Sequence, residues 1–149
     1  MIVRKALAAD IPAVAALEHA EFPDGADEGM LMRLWETDGG VILIAEEGET
    51  LLGYVWAHFV LDEGDIGNVA VAPAVRRCGI GAALMEAFQT EAERRGAAVV
   101  QLEVRESNLA ARRLYEKNGF EIVGKRKNYY EKPAEDAILM SKFFQKEAE

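Results

Sequence analysis

Cysteine is nearly absent: Cys78 stands alone in 149 residues. A single thiol excludes an intramolecular disulfide framework and a cysteine-rich zinc site. Histidine is almost as scarce. His19 and His58 lie far apart, in no ligand or catalytic spacing, so neither receives a role and no metal is expected. Basic residues are outnumbered, 17 Lys and Arg against 26 Asp and Glu, giving a formal net charge of −9. Phosphate backbones demand a basic footprint, which excludes a general nucleic-acid binder. Cationic partners are favoured instead, although acidity also serves solubility. No apolar run approaches the roughly 20 residues of a membrane span. The opening Met1-Ile2-Val3-Arg4-Lys5 passes into alanine and aspartate rather than a secretory core. A cytoplasmic chain without a membrane partner is expected, with a monomer as its expected state.

What is present is ordinary globular material, half hydrophobic and 29% charged, long enough to bury one core. Met1–Lys5 reads as a strand. Asp10 and Pro12 open a helix to about Ala20, with Ile11, Val14 and Leu17 on one face. The loop Glu21-Phe22-Pro23-Asp24-Gly25 breaks it, and Asp27 caps a second helix carrying Met30, Leu31, Leu34 and Trp35. Strands follow at Val41–Ala45, Leu51–Leu61 and Ile66–Val71, separated by the turns Glu46–Glu49 and Asp62–Asp65. A helix from Gly81 to Arg95 buries Leu84, Met85 and Phe88 and stops at Gly96. Val99–Val104 is then a strand parallel to Ile66–Val71 by the crossover rule. Ser107 or Asn108 caps a helix to Asn118. Strands Phe120–Gly124 and Ala137–Phe144 close the chain around a polar loop containing Asn128-Tyr129-Tyr130. The fold class is α/β: one domain, 1–149, with a mixed, mostly antiparallel sheet of six or seven strands and about four helices.

The stretch Val69-Ala70-Val71-Ala72-Pro73-Ala74-Val75-Arg76-Arg77-Cys78-Gly79-Ile80-Gly81 is the centre of this organisation. A strand, a proline exit, two arginines and glycines leading into a helix bring bare N–H groups and a helix dipole to one point, which suits a phosphate. A Walker A loop is excluded, because Ala82-Ala83 follow Gly81 instead of Lys-Ser or Lys-Thr. A dinucleotide fingerprint begins well at Gly79-Ile80-Gly81, and Glu103 sits near the position of a ribose-binding acid. Against it, Leu84 occupies the third glycine position, and the seven residues 72–78 separate the strand from Gly79. The remaining pattern is Arg/Gln-x-x-Gly-x-Gly/Ala, met by Arg76, Gly79 and Gly81. Here the chain resembles the GNAT acyltransferase superfamily. The resemblance implies a GNAT fold and acetyl-CoA as acyl donor. The backbone of Val69, Ala70 and Val71 would pair with the pantetheine arm, and Arg76, Arg77, Cys78, Gly79, Ile80, Gly81 and Ala82 would hold the phosphates.

Amide formation from a thioester requires an amine to lose its proton, an oxyanion to be stabilised and a thiolate to be protonated. On Val99–Val104, Gln101, Glu103 and Arg105 share the polar face. Alone, Glu103 reads as a solvated acid. The crossover puts its strand beside Val69–Val71, where its carboxylate could reach an amine directly or through one water. Tyr115 reads equally as a core tyrosine, but with an ordinary pKa of about 10 it stays protonated at neutral pH. The run Leu102-Glu103-Val104-Arg105-Glu106-Ser107-Asn108, then Ala111 and Leu114-Tyr115-Glu116-Lys117-Asn118-Gly119-Phe120, is similar to the family segment carrying the general-acid tyrosine. That similarity implies Tyr115 as acid and Asn108 as a cofactor contact; independently, Asn108 reads as a helix N-cap. Cys78 has no sequence-local base to make it an acyl carrier.

Arg126-Lys127-Asn128-Tyr129-Tyr130, followed by Glu135-Asp136-Ala137-Ile138-Leu139-Met140, resembles the ribosomal-protein-alanine N-acetyltransferases, the RimI type. The resemblance implies Glu103 as general base and a protein N-terminus, from a basic ribosomal protein, as acceptor. An α-amine (pKa near 7.7–8.0) is easier to deprotonate than a lysine (near 10.4) by about 3 kcal/mol. Two positions depart from the type: Phe22-Pro23-Asp24 where aromatic-Pro-Trp is usual, and Glu131 where proline follows the Tyr-Tyr pair. Other readings are a GNAT acting on lysine side chains or small amines, and a non-catalytic CoA-binding module.

Overall fold

The computed structural model describes residues 1–144. Strand β1 (Ile2–Lys5) leads through a 3-10 turn into helix α1 (Ile11–Glu21), and α2 (Glu28–Glu36) follows. Strands β2 (Gly40–Glu47), β3 (Thr50–Val60) and β4 (Glu63–Val71) form a meander. Helix α3 (Ile80–Arg94), strand β5 (Val99–Arg105) and helix α4 (Leu109–Lys117) complete the crossover half, and β6 (Glu121–Glu131) and β7 (Ala134–Phe143) close the sheet. The order across the seven-stranded sheet is β1-β2-β3-β4-β5-β7-β6, antiparallel throughout except for the parallel β4–β5 pair.

Local chemistry sets the element ends. Asp27 accepts from the Met30 amide at 2.8 Å to start α2, and Asn108 accepts from Ala111 at 3.2 Å to start α4. Asp10 sits at the start of α1 without capping it. Its carboxylate is taken by the Leu7 amide (2.7 Å) and the Arg4 guanidinium (2.8 Å), which tie the chain entry to β1 instead. Gly96 and Gly119 follow their helices with positive φ (72° and 90°), as left-handed stops require.

Each face of the sheet carries a core. Ile11, Val14 and Leu31 of α1 and α2 pack on Ile42, Ile44, Tyr54 and Ala70. Leu84, Met85 and Phe88 of α3 and Tyr115 of α4 pack on Leu43, Val55, Leu102 and Met140. On α1 the stripe is completed by Glu18, wholly buried, rather than by the half-buried Leu17.

Two strands are longer than their composition indicates. The turn expected over Asp62–Asp65 is only Leu61-Asp62, with Leu61 at φ 55° and 91% exposed, so β4 already begins at Glu63. Glu63 and Asp65 point outward while Gly64 and Ile66 are buried, an alternation hidden by turn-forming residue types. The expected polar loop around Asn128-Tyr129-Tyr130 is the far half of β6, interrupted where Asn128 takes φ 54° and the register with β7 shifts between Arg126 and Tyr130. As an edge strand exposed on nearly every residue, β6 has no apolar alternation to read.

Candidate active site

The site exists because two neighbouring parallel strands part. β4 and β5 pair from Glu63↔Val99 to Ile66↔Leu102 and no further. At that point β4 carries a bulge: Ala57 of β3 faces Ile66 and Trp56 faces Asn68, leaving Gly67 as the extra residue. Gly67 is required there, because a Cβ would fall inside the contact distance of the Trp56 ring. The bulge inverts the alternation, so Ile66, Val69 and Val71 face α3 while Ala70 faces α1 and α2. The crossover therefore sets Glu103 beyond the ladder, across an open gap from Val69–Val71 rather than paired beside them. The Ala72 amide donates to Leu52 of β3 at 2.8 Å. Strand alternation then aims the backbone groups of Val69 and Val71 into the gap and those of Ala70 back at β3.

Beyond β4, a 3-10 turn over Pro73–Val75 leads to Arg76, then Arg77 at φ 66° and Gly79 at φ 79°. Alternating left-handed residues before a 15-residue helix make a concavity of amides at its positive end. Ile80 is 4% exposed and committed to the core, so only its backbone faces this loop. Gly81 has a packing reason too: a Cβ there would stand 3.2 Å from Leu114 of α4. Cys78 is exposed, its Sγ 3.7 Å from the Arg76 carbonyl oxygen. Arg76 reaches across the open edge of β4, donating to Glu21 of α1 at 2.6 Å and to the Val71 carbonyl at 3.3 Å.

Two cavities flank the gap. The smaller, about 100 Å³, is bordered by Glu21, Val69, Asn108, Ala111 and Tyr115. The larger, about 650 Å³, opens on the other side among Met30, Trp56, His58, Asp65, Tyr129 and Glu131. Asp24, Gly25, Asn68, Glu103 and Tyr130 line both. Glu103 thus stands in the common wall. Its side chain takes part in no hydrogen bond or ion pair among the described residues, which leaves its carboxylate uncommitted.

Tyr115 is 4% exposed and packs its ring on Phe120. Burial, then the neighbouring Tyr130 phenol and the Glu18 carboxylate, push its hydroxyl above the ordinary tyrosine range. Tyr130 is likewise pushed up to about 12, by burial first and then by Tyr129 and Glu103. Both phenols hold their protons at neutral pH. Arg105 binds the framework together. It pairs with Asp24 (2.5 Å) and Glu135 (3.1 Å), donates to the Lys132 and Pro133 carbonyls, and lies 4.3 Å over the Tyr130 ring.

The structure thus gathers Glu103, Tyr115, Asn108 and Val69 about one cleft, with Val71 and the 76–82 loop along its edge. It turns Ala70 away. Residues absent from the sequence-derived set are Asn68, Arg105 and Glu18. Arg105 shares the alternation that singles out Glu103, and Glu18 is an acid on an apolar helix stripe; both signals were readable. Asn68 had none, because its direction depends on the bulge.

A seven-stranded mixed sheet parted beside a glycine loop at a helix start defines an acyltransferase class, and the chain belongs to it: the model of the Acetyltransferase (GNAT) family matches residues 11–120. That family uses acetyl-CoA. Among individual proteins, the [ribosomal protein bS18]-alanine N-acetyltransferase of Escherichia coli K12 is 49% identical over 93 residues, and that of Haemophilus influenzae 41% over 98. These alignments cover 61% and 64% of this chain, and 63% and 66% of the relatives' own length. The crystal structure of the E. coli ribosomal-protein-S18-alanine N-acetyltransferase superposes with a TM-score of 0.88 at 31% identity, over 99% of this chain and 96% of that one.

Proposed function

We propose that this chain transfers the acetyl group of acetyl-CoA to the N-terminal α-amine of a protein, and that the acceptor is the N-terminal alanine of ribosomal protein bS18, the substrate named for its relatives. One observation carries the reading: an uncommitted carboxylate, Glu103, in the wall between a small cavity containing a protonated tyrosine and a larger acidic one. The smaller cavity and the loop beyond it are the cofactor side. Val69 and Val71 offer backbone groups to an extended arm, and the amides from Arg77 to Ala82, with the Arg76 and Arg77 charges, suit a pyrophosphate. Asn108, capping α4 at the cavity edge, completes that side.

Acetyl-CoA supplies an activated acyl group and a thiolate leaving group. Glu103 takes the proton from the acceptor ammonium, directly or through one water, and Tyr115, kept neutral by burial, returns a proton to the sulfur. No step requires a covalent acyl-enzyme, and the reaction runs in a ternary complex. The larger cavity is the acceptor side. Asp24, Asp65, Glu103 and Glu131 line it with no lysine or arginine among its described residues, which suits a basic N-terminus. We read residues 1–149 as one catalytic domain, acting in the cytoplasm where ribosomal proteins are made.

A peptide panel offered with acetyl-CoA tests this. It contains an alanine-first basic peptide, peptides with other first residues, and an N-terminally blocked peptide whose only amine is lysine. Acetylation of the alanine-first peptide at its α-amine is expected; preference for the blocked lysine peptide overturns the assignment.

A further inference from the structure

Glu18 is a buried acid beside the cleft that the reaction does not use. Its relative exposure is 0%, and among the described residues no cation pairs with it. Burying a carboxylate without a counter-ion is expensive unless donors replace its water. Three do. Its Oε1 accepts from the Tyr54 hydroxyl at 2.5 Å, and its Oε2 accepts from the Asn68 side-chain amide at 2.7 Å and the Ala26 backbone N–H at 2.9 Å.

These donors belong to three separate pieces of chain: β3, the residue after the β4 bulge, and the loop joining α1 to α2. Two of them reach the cleft. Asn68 lines both cavities, and Ala26 anchors the 22–26 segment, of which Asp24 and Gly25 line both as well. Gly25 lies directly against the carboxylate, since a Cβ on it would stand 2.7 Å from Glu18 Oε2 and 3.0 Å from its Cγ. Glu18 itself borders neither cavity and has both oxygens occupied, so it is no base for an incoming amine.

We infer that Glu18 is the positioning residue of the acceptor side: from inside the fold it holds the 22–26 loop against β4 where the strands part, and so sets where the amine rests relative to Glu103. This rests on the acceptor reading given above. The arrangement separates two functions of one carboxylate. The Tyr54 bond lies deep and serves stability; the Asn68 and Ala26 bonds fix the cleft wall. A glutamine can reproduce the second pair with its carbonyl oxygen while its amide donates to the Tyr54 oxygen, reversing only the deep bond.

The test compares wild type, Glu18→Gln, Glu18→Ala and Gly25→Ala. It measures peptide KM and kcat, acetyl-CoA affinity by titration calorimetry, melting temperature, and amide exchange across residues 22–26. Glu18→Ala should raise the KM of the alanine-first peptide roughly tenfold or more while acetyl-CoA affinity stays within about twofold, because only the acceptor wall moves. Amide exchange at Ala26 should accelerate with it. Glu18→Gln should melt lower than wild type yet keep peptide KM within about threefold. Gly25→Ala, which pushes the loop off an intact carboxylate, should reproduce the KM effect even if Glu18→Ala does not fold.

Peptide KM that follows melting temperature across the variants overturns the inference, as does a Glu18→Gln enzyme no better than Glu18→Ala. A wild type inactive on every peptide overturns the acceptor assignment instead. In that event exchange decides the Glu18 role: unchanged protection of residues 22–26 in Glu18→Ala defeats it, and lost protection restored by Gln upholds it.

Discussion

At the scale of single residues, chemistry depends on which groups are left free. Of the acids lining the smaller cavity, Asp24 is taken by Arg105 and Glu21 by Arg76, and Glu18 behind them is held by its three donors. Glu103 is not, and an unpaired carboxylate is the one able to accept a proton without first breaking a contact. Glu103→Gln keeps the shape and removes the basicity, so kcat should fall by roughly 10²–10⁴-fold with acetyl-CoA affinity unchanged. Pre-steady-state turnover with saturating peptide measures this, and full turnover would end its role as base. Tyr115→Phe removes the proposed acid from a site whose burial keeps the phenol neutral. Its kcat should drop by about the same order, with a thiol leaving group of lower pKa recovering part of the loss.

Among elements, the decisive event is one inserted residue. Without Gly67 the β4–β5 ladder would have no reason to stop at Ile66↔Leu102, and no gap would stand between Val69 and Glu103. Gly67→Ala drives a methyl into the Trp56 ring, so it should cost about 1–3 kcal/mol of stability in urea titration and depress activity further than stability alone explains. Adding Trp56→Leu, which vacates the space, should restore most of both; two independent, additive losses would mean the ring is not the obstacle. This element also shows what a sequence conceals. The glycine loop and its helix were legible, since Gly79, Gly81 and the Leu84-Met85-Phe88 stripe mark a helix start in residue type. The capped helices were legible from Asp27 and Asn108. A bulge has no compositional mark beyond one glycine, and it reverses every side-chain direction after it, so the placement of Ala70 and Asn68 could not be read by counting alternation. The far half of β6 was illegible for the opposite reason: both its faces meet solvent, and a strand with nothing to bury reads as a loop. Glu18 leaves a legible mark, an acid on an apolar stripe, but one that ordinarily reads as an interruption.

Over the whole molecule, acidity acts in two ways with different pH and salt signatures. The first concerns folding. Hydrogen bonding from Arg4 holds the carboxyls of Asp10 and Glu46 below their ordinary values of 3.8 and 4.5, and the Asn128 amide does the same for Asp136. Each folded pKa lies below the unfolded one, so the unfolded chain binds more protons in that range. The stability they contribute is complete above the unfolded values and is lost as pH falls through the folded ones. The melting temperature should hold from about pH 7 to 5 and fall below pH 4, and Arg4→Ala should flatten that acid limb while lowering the neutral plateau. The second concerns encounter. A net charge of −9 acts on any cationic peptide at long range, but the acids lining the larger cavity act at contact. Screening shortens from about 10 Å at 0.1 M salt to about 3 Å at 1 M, so at saturating acetyl-CoA the KM of a basic alanine-first peptide should climb several-fold over that range. A neutral peptide should show a flat response, and kcat should stay nearly constant for both. Asp65 and Glu131 line the larger cavity but not the smaller one that holds Tyr115, which allows the two ranges to be separated. The double variant Asp65→Asn, Glu131→Gln changes the net charge by only two of nine, yet it should remove most of the salt slope if recognition is local. A slope surviving at about seven-ninths of its size would assign the attraction to the field of the whole surface, and the groove would then contribute shape rather than charge.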